Sequence, residues 1–322
     1  MKRNLLIKIT NLFLLLPVLA ACATLQVAPI PNPPLRIEFT QWWGDYTLLV
    51  AQDKGFFKEH EVQVEPRYYK TLANTYPDLA SGQIDGALIA IGDAININRS
   101  TPIKVVAVSD NGGDDAVVVG SEINSIQDLK GKTIGLEIGS QFELTIFQML
   151  QSADMDFNDV TLVSMNPEDT LAALEGGQVQ AVNTWEPYLS NALAKGYKSI
   201  YPQEQLHLFP DLIVFRKSIV DERPEDVRAF LQAWFQAVEY RQQHQGETRV
   251  IAAKYLGVSA DEVQPDNNLK IHTLEDNKLL FNVQKANSIY SIAKVTSDYL
   301  ISIGVITKAI DPLELLDSIY LP

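Results

Sequence analysis

The sequence has very little cysteine, little histidine, and fewer basic than acidic residues. Its single cysteine excludes an internal disulfide framework and a zinc site built from several thiolates. Four histidines leave little material for metal chemistry. Twenty-six basic residues against forty acidic ones give a formal charge of -14, which repels a phosphate backbone. These shortages disfavour a disulfide scaffold, a metalloenzyme and a nucleic-acid-binding protein.

The remaining composition is that of a globular protein, with 46% hydrophobic and 20% charged residues. A length of 322 residues predicts one large or two mid-sized domains with enough material for a core. After the first 21 residues the sequence has no apolar run long enough to predict a membrane helix.

The N-terminal segment predicts the compartment. Basic residues precede an apolar run from Leu12 to Ala21, which is typical of a secretory signal and short for a bilayer span. The run ends Leu19-Ala20-Ala21-Cys22, which resembles the bacterial lipoprotein signal, in which the cysteine is lipidated and becomes the mature N-terminus. We therefore predict a signal peptide over residues 1–21, lipidation at Cys22, and a proline-rich tether over residues 22–34. An unlipidated signal followed by an incidental cysteine is the alternative.

From Leu35 onward, short alternating apolar segments predict strands, and longer segments with helical periodicity predict helices. Leu35 to Phe39 predicts a half-buried strand, and Asp45 is a candidate N-cap of the helix that follows. A strand–helix order occurs twice, and the similar segments Gly82–Ala87 and Gly177–Val182 fall at the same place in it. This pattern predicts an α/β protein with parallel sheets flanked by helices, arranged as two lobes.

The C-terminal third has a mainly helical pattern. Apolar residues at helical spacing predict long helices within Glu225–Gln243 and Asp276–Leu300. In the second of these, the apolar stripe includes Val283 and Val295. We interpret both stripes as packing faces.

Five segments carry a resemblance to a known family. They are Trp42-Trp43-Gly44-Asp45-Tyr46, Ala51–Glu59, Ser81–Asp85, Asp128–Gly135 and Thr184-Trp185-Glu186-Pro187-Tyr188. The chain resembles the periplasmic solute-binding proteins of ABC importers for nitrate, sulfonates, taurine and thiamine pyrimidine precursors, over most of residues 35–240.

The resemblance implies a type II periplasmic-binding-protein fold with a ligand cleft between two hinged lobes. Carried over, lobe one comprises residues 35–115 plus 213–322, including the C-terminal helices, and lobe two comprises residues 116–212. The hinge candidates are Val105–Val119 and Leu206–Phe215. An ABC permease and its ATPase are the implied partners, and the protein is expected to be a monomer.

Ligands of open parallel sheets bind beyond the carboxyl ends of the strands, and this rule selects five loops. Their candidate ligand-binding residues are Trp42, Trp43, Asp45, Tyr46, Gly92, Asp93, Asp114, Asp115, Ser140, Gln141, Trp185, Glu186 and Tyr188. Structural alternatives stand beside them. Both tryptophans could simply pack against the lobe, Asp93 and Ser140 could be helix N-caps, and the two adjacent aspartates could form a solvated turn.

These loops contain carboxylates and aromatic rings but no lysine or arginine. They favour an amine-bearing or aromatic, pyrimidine-like ligand, and neutral donors leave a sulfonate-like ligand open. We predict an extracytoplasmic lipoprotein, anchored on the periplasmic or extracellular face of a membrane, that binds a small metabolite without cofactor, metal or catalysis. The alternatives are a ligand-sensing lipoprotein without transport and a thiamine-pyrimidine-type enzyme, for which the selected loops contain no histidine and the chain no cysteine-rich segment.

Overall fold

The computed structural model describes residues 32–70, 72–112, 116–138, 140–202, 210–265 and 269–322. Two five-stranded sheets organise these residues. The first sheet contains β1 (Leu35–Phe39), β2 (Val64–Tyr68), β3 (Gly86–Ala90), β4 (Ile103–Asp110) and β10 (Asp211–Arg216). The second contains β5 (Ala116–Val119), β6 (Thr133–Leu136), β7 (Thr161–Ser164), β8 (Ala181–Thr184) and β9 (Lys198–Pro202).

Helices connect and cover the strands. Those before β5 are α1 (Tyr46–Lys54), α2 (Phe56–Glu59), α3 (Leu72–Ser81) and α4 (Ile91–Ile97). Those among the strands of the second sheet are α5 (Gln141–Gln151), α6 (Thr170–Glu175) and α7 (Tyr188–Ala194). Those after β10 are α8 (Lys217–Glu222), α9 (Pro224–Gln243), α10 (Gln245–Leu256), α11 (Leu274–Leu280), α12 (Ile289–Ser302) and α13 (Pro312–Leu315). No helix in the described ranges has both the length and the apolar character needed to cross a membrane.

The two sheets share one topology, which confirms the predicted α/β fold and its repeated strand–helix order. The strand orders are β2-β1-β3-β10-β4 and β7-β6-β8-β5-β9. In each sheet the first three strands are parallel and the fourth is antiparallel to both neighbours. Gly82 and Gly177, which precede β3 and β8, both adopt left-handed backbone conformations at φ 78° and 65°. A side chain is disfavoured there, so the similar segments mark equivalent turns.

The chain passes between the sheets twice, from β4 to β5 and from β9 to β10. The predicted hinge candidates span these two connections. Residues 113–115 and 203–209 of the connections lie outside the described residues.

Both faces of the first sheet are covered. Helices α1, α2, α9 and α10 pack on the face that carries Leu35, Ile37 and Phe39. Helices α3, α4 and α12 pack on the opposite face. The half-buried pattern predicted for β1 is therefore wrong at Glu38, which is fully buried, because a sheet with parallel strands is commonly covered on both sides.

The long helix predicted within Asp276–Leu300 is two helices, α11 and α12, with an irregular segment between them. Ser288 caps α12, since its hydroxyl accepts a hydrogen bond from the N–H of Ser291 at 3.3 Å. Val283 and Val295, which belong to the predicted apolar stripe, are each about half exposed. The apolar periodicity of the sequence continues across the break between α11 and α12, so it did not reveal that Ser288 begins a second helix.

Candidate ligand-binding site

The two tryptophans after β1 are buried in different cores. Trp43 packs in the core of the first sheet. Trp42 packs with Val117 and Trp185 in a core cluster of the second sheet. The loop after β1 therefore reaches from one sheet into the other, and the packing alternative describes both indoles in this structure.

Asp45 occupies the N-cap position of α1, as predicted, but its side chain makes no capping hydrogen bond. Its Oδ2 accepts hydrogen bonds from the N–H and the hydroxyl of Thr40, at 2.7 and 2.8 Å. Burial raises the pKa of Asp45 to about 7, although the bonds from Thr40 favour the charged form. The carboxyl group of Asp45 therefore links the two ends of the loop after β1 through Thr40, and its pKa lies near neutral pH.

Arg241, on α9, is a buried cation that sequence reasoning missed. Its guanidinium donates to the carbonyl oxygens of Trp43 and Gly44, at 2.7 and 3.1 Å, and lies 5.0 Å from the centre of the Trp43 ring. Burial lowers its pKa to about 10, against the opposing charges of Asp110 and Asp45. Its position within a helical packing stripe gave no sequence signal of this role.

Gly44 lies where the loop meets β4. A Cβ atom at this position would lie 2.2 Å from Oδ2 of Asp110, so only glycine fits. Burial raises the pKa of Asp110, while hydrogen bonds from Ser109 and the N–H of Gly112 lower it. Asp110 is the last residue of β4 and stands directly before the first connection between the sheets.

The loop after β8 faces the loop after β1. Trp185 stacks on Phe142 of α5, with ring centres 4.5 Å apart. The carboxylate of Glu186 accepts hydrogen bonds from the hydroxyl and the N–H of Ser190. The Tyr188 hydroxyl donates to Oε1 of Gln41 at 3.3 Å, which joins the two sheets through side chains.

A cavity of about 420 Å³ lies between these two loops. It is lined by Gln41, Trp43, Tyr46, Glu186, Pro187, Tyr188 and Asn191, and on a further side by Leu256, Val258 and residues 261–264. Four predicted residues therefore share one cavity, with aromatic walls and a carboxylate. Trp42 and Asp45 lie in the protein interior beside it.

The starts of α4 and α5 hold the next predicted residues. Gly92 and Asp93 are the second and third residues of α4, whose N-cap is Ala90, so Asp93 is not the N-cap. The hydroxyl of Ser140 accepts a hydrogen bond from the N–H of Phe142 at 3.2 Å, which confirms its capping role at α5. Gln141 begins α5, and its side chain is outside the described part.

Around the hydroxyl of Tyr76, on α3, lie three buried carboxyl groups, which we call the carboxyl cluster: Glu38, Asp93 and Glu137. Burial raises the pKa of Tyr76 well above its usual range, and the charges of all three raise it further. Glu137 follows β6 in the second sheet, whereas Glu38 lies on β1 in the first. The cluster thus draws on both sheets, and Asp93 is its predicted member.

The other residues of the carboxyl cluster were missed for identifiable reasons. Glu38 and Glu137 lie at the carboxyl ends of β1 and β6, so the rule that selected the loops applies to them too. Glu38 falls on the polar face of the half-buried strand predicted over Leu35–Phe39, which gave no reason to place it in a site. Tyr76 had no signal beyond its helical spacing. The predicted residues Asp114, Asp115 and Cys22 lie outside the described residues.

Two α/β sheets of the same topology, joined by two crossings and facing each other through loops at strand ends, define a two-lobed binding-protein fold. The family described as NMT1/THI5 like matches residues 45–248, and the chain belongs to this family. The predicted resemblance to solute-binding proteins is confirmed.

Individual relatives agree with this assignment. A Brucella abortus protein, provisionally named a binding protein, is 25% identical over 298 residues, covering 89% of this chain and 91% of its own. The taurine-binding periplasmic protein of Escherichia coli is 30% identical over 188 residues, 56% of this chain and 58% of that protein. The crystal structure of the periplasmic aliphatic sulphonate binding protein of Escherichia coli has the same fold. Its TM-score is 0.71 at 18% identity, over 88% of this chain and 92% of that one.

Proposed function

We propose that the protein captures a small organic metabolite between its two lobes and delivers it to an ABC importer. The observation that carries the proposal is the meeting of side chains from both sheets, through the Tyr188–Gln41 hydrogen bond and the packing of Trp42 in the same core cluster as Trp185. A ligand that contacts both lobes stabilises their closed arrangement, because only differential contact shifts such an equilibrium. The proposed lobes are residues 35–115 plus 213–322 and residues 116–212.

The proposed ligand is amine-bearing or aromatic and pyrimidine-like, with a sulfonate-like compound as the alternative. Trp43, Tyr46 and Tyr188 supply aromatic surface to the cavity, and Glu186 supplies a carboxylate. Aromatic faces attract cations and stack on flat rings. The names of the taurine and sulphonate relatives support the sulfonate alternative.

The proposed location is the outer face of a membrane, to which lipid on Cys22 attaches the protein. The periplasmic names of the relatives support an extracytoplasmic site of action. The proposed partners are a permease and an ATPase, and the proposed state is a monomer. The protein is proposed to release its ligand chemically unchanged, which the binding-protein names of its relatives support.

Equilibrium calorimetry and small-angle scattering test the proposal. The panel contains taurine, nitrate, alkanesulfonates, quaternary amines and aminopyrimidines. At least one compound is expected to bind, to reduce the radius of gyration and to be recovered unchanged after denaturation. Absence of both binding and compaction across the panel, or recovery of a converted compound, would falsify the proposal.

A Tyr188→Phe variant tests the contact between the lobes. Loss of the hydrogen bond to Gln41 is expected to weaken the binding of that compound by about fivefold, corresponding to about 1 kcal/mol. Tyr197→Phe, at a half-buried phenol elsewhere in the second lobe, is the matched control and is expected to bind normally. Equal effects of the two variants would argue against a role for the Tyr188 contact.

A further inference from the structure

We infer that the ligand enters the cleft with a positively charged nitrogen group, a protonated amine or nitrogen heterocycle, that Glu38, Asp93 and Glu137 surround. This inference rests on the proposed function, because it names the ligand class of the same cleft.

The first observation is the convergence of charge. Glu38, Asp93 and Glu137 come from a strand of the first sheet, a helix and a segment of the second sheet, and their exposures are 0%, 1% and 8%. The charges of all three act on the Tyr76 hydroxyl, so they share one neighbourhood. Carboxyl groups gathered in a region of low dielectric constant attract a cation and repel a sulfonate strongly.

The second observation is an unsatisfied oxygen within this neighbourhood. Oε2 of Glu38 accepts a hydrogen bond from the N–H of Leu88 at 3.1 Å, but Oε1 has no hydrogen-bond partner among the described residues. A buried carboxyl oxygen without a donor costs about 1–3 kcal/mol. A nitrogen group that donates to Oε1 removes this cost, which a ligand without a donor does not.

The spacing of the carboxyl groups favours an organic cation over a metal ion. In the described ranges, no three histidine, cysteine, aspartate or glutamate side chains are arranged to hold a metal. An organic cation is larger than a metal ion, and it can meet carboxyl groups that stand too far apart to share one.

The buried side chain of Arg241 makes its hydrogen bonds away from the carboxyl cluster. The guanidinium of Arg241 is hydrogen-bonded to the loop after β1, through Trp43, Gly44 and Thr47. The opposing charges that raise its pKa are those of Asp110, Tyr46 and Asp45, not those of the carboxyl cluster. An anionic ligand at the cluster would therefore face carboxyl groups without the help of this cation.

Proton release gives the inference a distinctive signature. Asp45 and the N–H of Leu88 act on Glu38, and Glu38 in turn acts on Tyr69 and on Tyr76, where Asp93 and Glu137 also act. Burial raises the pKa of Glu38 well above its usual range, the charge of Asp45 raises it further, and the Leu88 N–H lowers it. An empty cleft therefore favours the protonated carboxyl. An arriving cation favours the ionised form, and the proton passes to the solvent.

The test uses matched compounds in which one carrier bears three different groups. Propyl, butyl and benzyl carriers are each measured as the ammonium, the alcohol and the sulfonate, by calorimetry at pH 7. In each set that binds, the ammonium compound is expected to bind at least tenfold more tightly than the other two. Its binding is expected to release a proton, detected as a difference in heat between buffers of different ionisation enthalpy.

Variants separate the carboxyl cluster from general effects on folding. Glu38→Gln and Glu137→Gln are expected to weaken ammonium binding at least tenfold, and Glu38→Gln is expected to abolish proton release. Glu239→Gln, at an exposed position of α9, is the matched control and is expected to change none of these values. Thermal unfolding of each variant reports whether it is folded.

The outcomes distinguish this inference from the proposed function. Tighter binding of the sulfonate compounds, or ammonium binding that survives both glutamine substitutions, overturns the inference while compaction on binding still supports the proposed function. If no compound of these sets or of the earlier panel binds or compacts the protein, both are wrong.

Discussion

Buried ionisable groups beside the cleft are the main feature at the scale of single residues. The charges of Asp45 and Asp110 both act on Arg241, and both carboxyl groups have raised pKa values because burial disfavours their charge. Arg241 holds the loop after β1 through hydrogen bonds to the carbonyl oxygens of Trp43 and Gly44, and removing either carboxyl group would leave its buried charge less compensated. We interpret this group as the support that positions Trp42 and Trp43.

An Asp45→Asn variant tests whether the pKa of the Asp45 carboxyl group is raised in the folded protein. The folded-state pKa of Asp45, about 7, lies above its ordinary value of 3.8, so the folded protein retains a proton that the unfolded chain loses first. The contribution of Asp45 to the free energy of unfolding is therefore greatest below about pH 4 and is lost as the pH rises to about 7. Each pKa unit corresponds to about 1.4 kcal/mol.

Thermal unfolding of both proteins between pH 4 and pH 7.5 measures the effect. The stability of the wild type relative to Asp45→Asn is expected to fall as the pH rises through this window, and to level off above it. Subtracting the variant cancels the other carboxyl groups. A difference that stays constant with pH would show that Asp45 titrates normally.

The sequence predicted which residues lie near the cleft better than it predicted how deeply they are buried. Trp43, Tyr46, Glu186 and Tyr188 share one cavity, as the strand-end rule implies. The half-buried strand prediction put Glu38 on the solvent-facing side of β1, because alternation identifies the two faces of a strand but not whether helices cover both. Burial is decided by elements that are distant in sequence, such as α3 and α4.

At the scale of elements, α5, which follows a strand of the second sheet, contacts α12, which packs on the first sheet. Leu144 of α5 is 1% exposed and packs within a core cluster of the first sheet. The Tyr299 hydroxyl donates to the carbonyl oxygen of Leu144 at 3.3 Å, and the Tyr299 ring meets Phe147 edge-on at 5.5 Å. None of these three residues lines the cavity near Tyr188.

A Leu144→Ala variant tests whether this contact stabilises closure. Opening the lobes would expose Leu144, and burying a leucine side chain contributes about 1.5–3 kcal/mol. The variant is therefore expected to weaken ligand binding by roughly tenfold or more, through a smaller closed population rather than through lost ligand contacts. Small-angle scattering with and without the bound compound measures the closed population, and calorimetry measures the affinity.

Leu193→Ala is the control for this experiment, because Leu193 lies on α7 and is 43% exposed. It is expected to close and bind as the wild type does. If Leu144→Ala lowers the unfolding temperature while compaction and affinity stay normal, Leu144 contributes to the core alone and the prediction is wrong.

Element types were easier to predict than element boundaries. The start of α5 after Ser140 agrees with its sequence signal, because it is set by a local side-chain cap. The helix within Asp276–Leu300 was predicted too long, because an apolar stripe continued past the end of α11 near Phe281. The serine at 288 was the signal of a new N-cap that the periodicity concealed.

For the whole molecule, the repeated topology explains why the fold could be predicted and the ligand could not. Two copies of a strand–helix unit leave a periodic trace, such as the equivalent turns at Gly82 and Gly177. The cleft exists only where the two copies face each other, and no local pattern records which side chains meet there. The contacts of Tyr188 with Gln41 and of Leu144 with the first core are of this kind.

The attachment of the whole molecule to a membrane is predicted to depend on Cys22. A single acyl chain binds a bilayer only marginally, so stable attachment needs the multi-chain lipid that the lipoprotein resemblance implies. A Cys22→Ser variant is therefore expected to leave the membrane fraction and to lose incorporation of labelled fatty acid. Ala23→Ser is the matched control and is expected to stay lipidated and membrane-bound. The released variant is expected to bind ligand with unchanged affinity, because the tether precedes the first strand. A Cys22→Ser protein that still sediments with membranes would show that another segment provides the attachment.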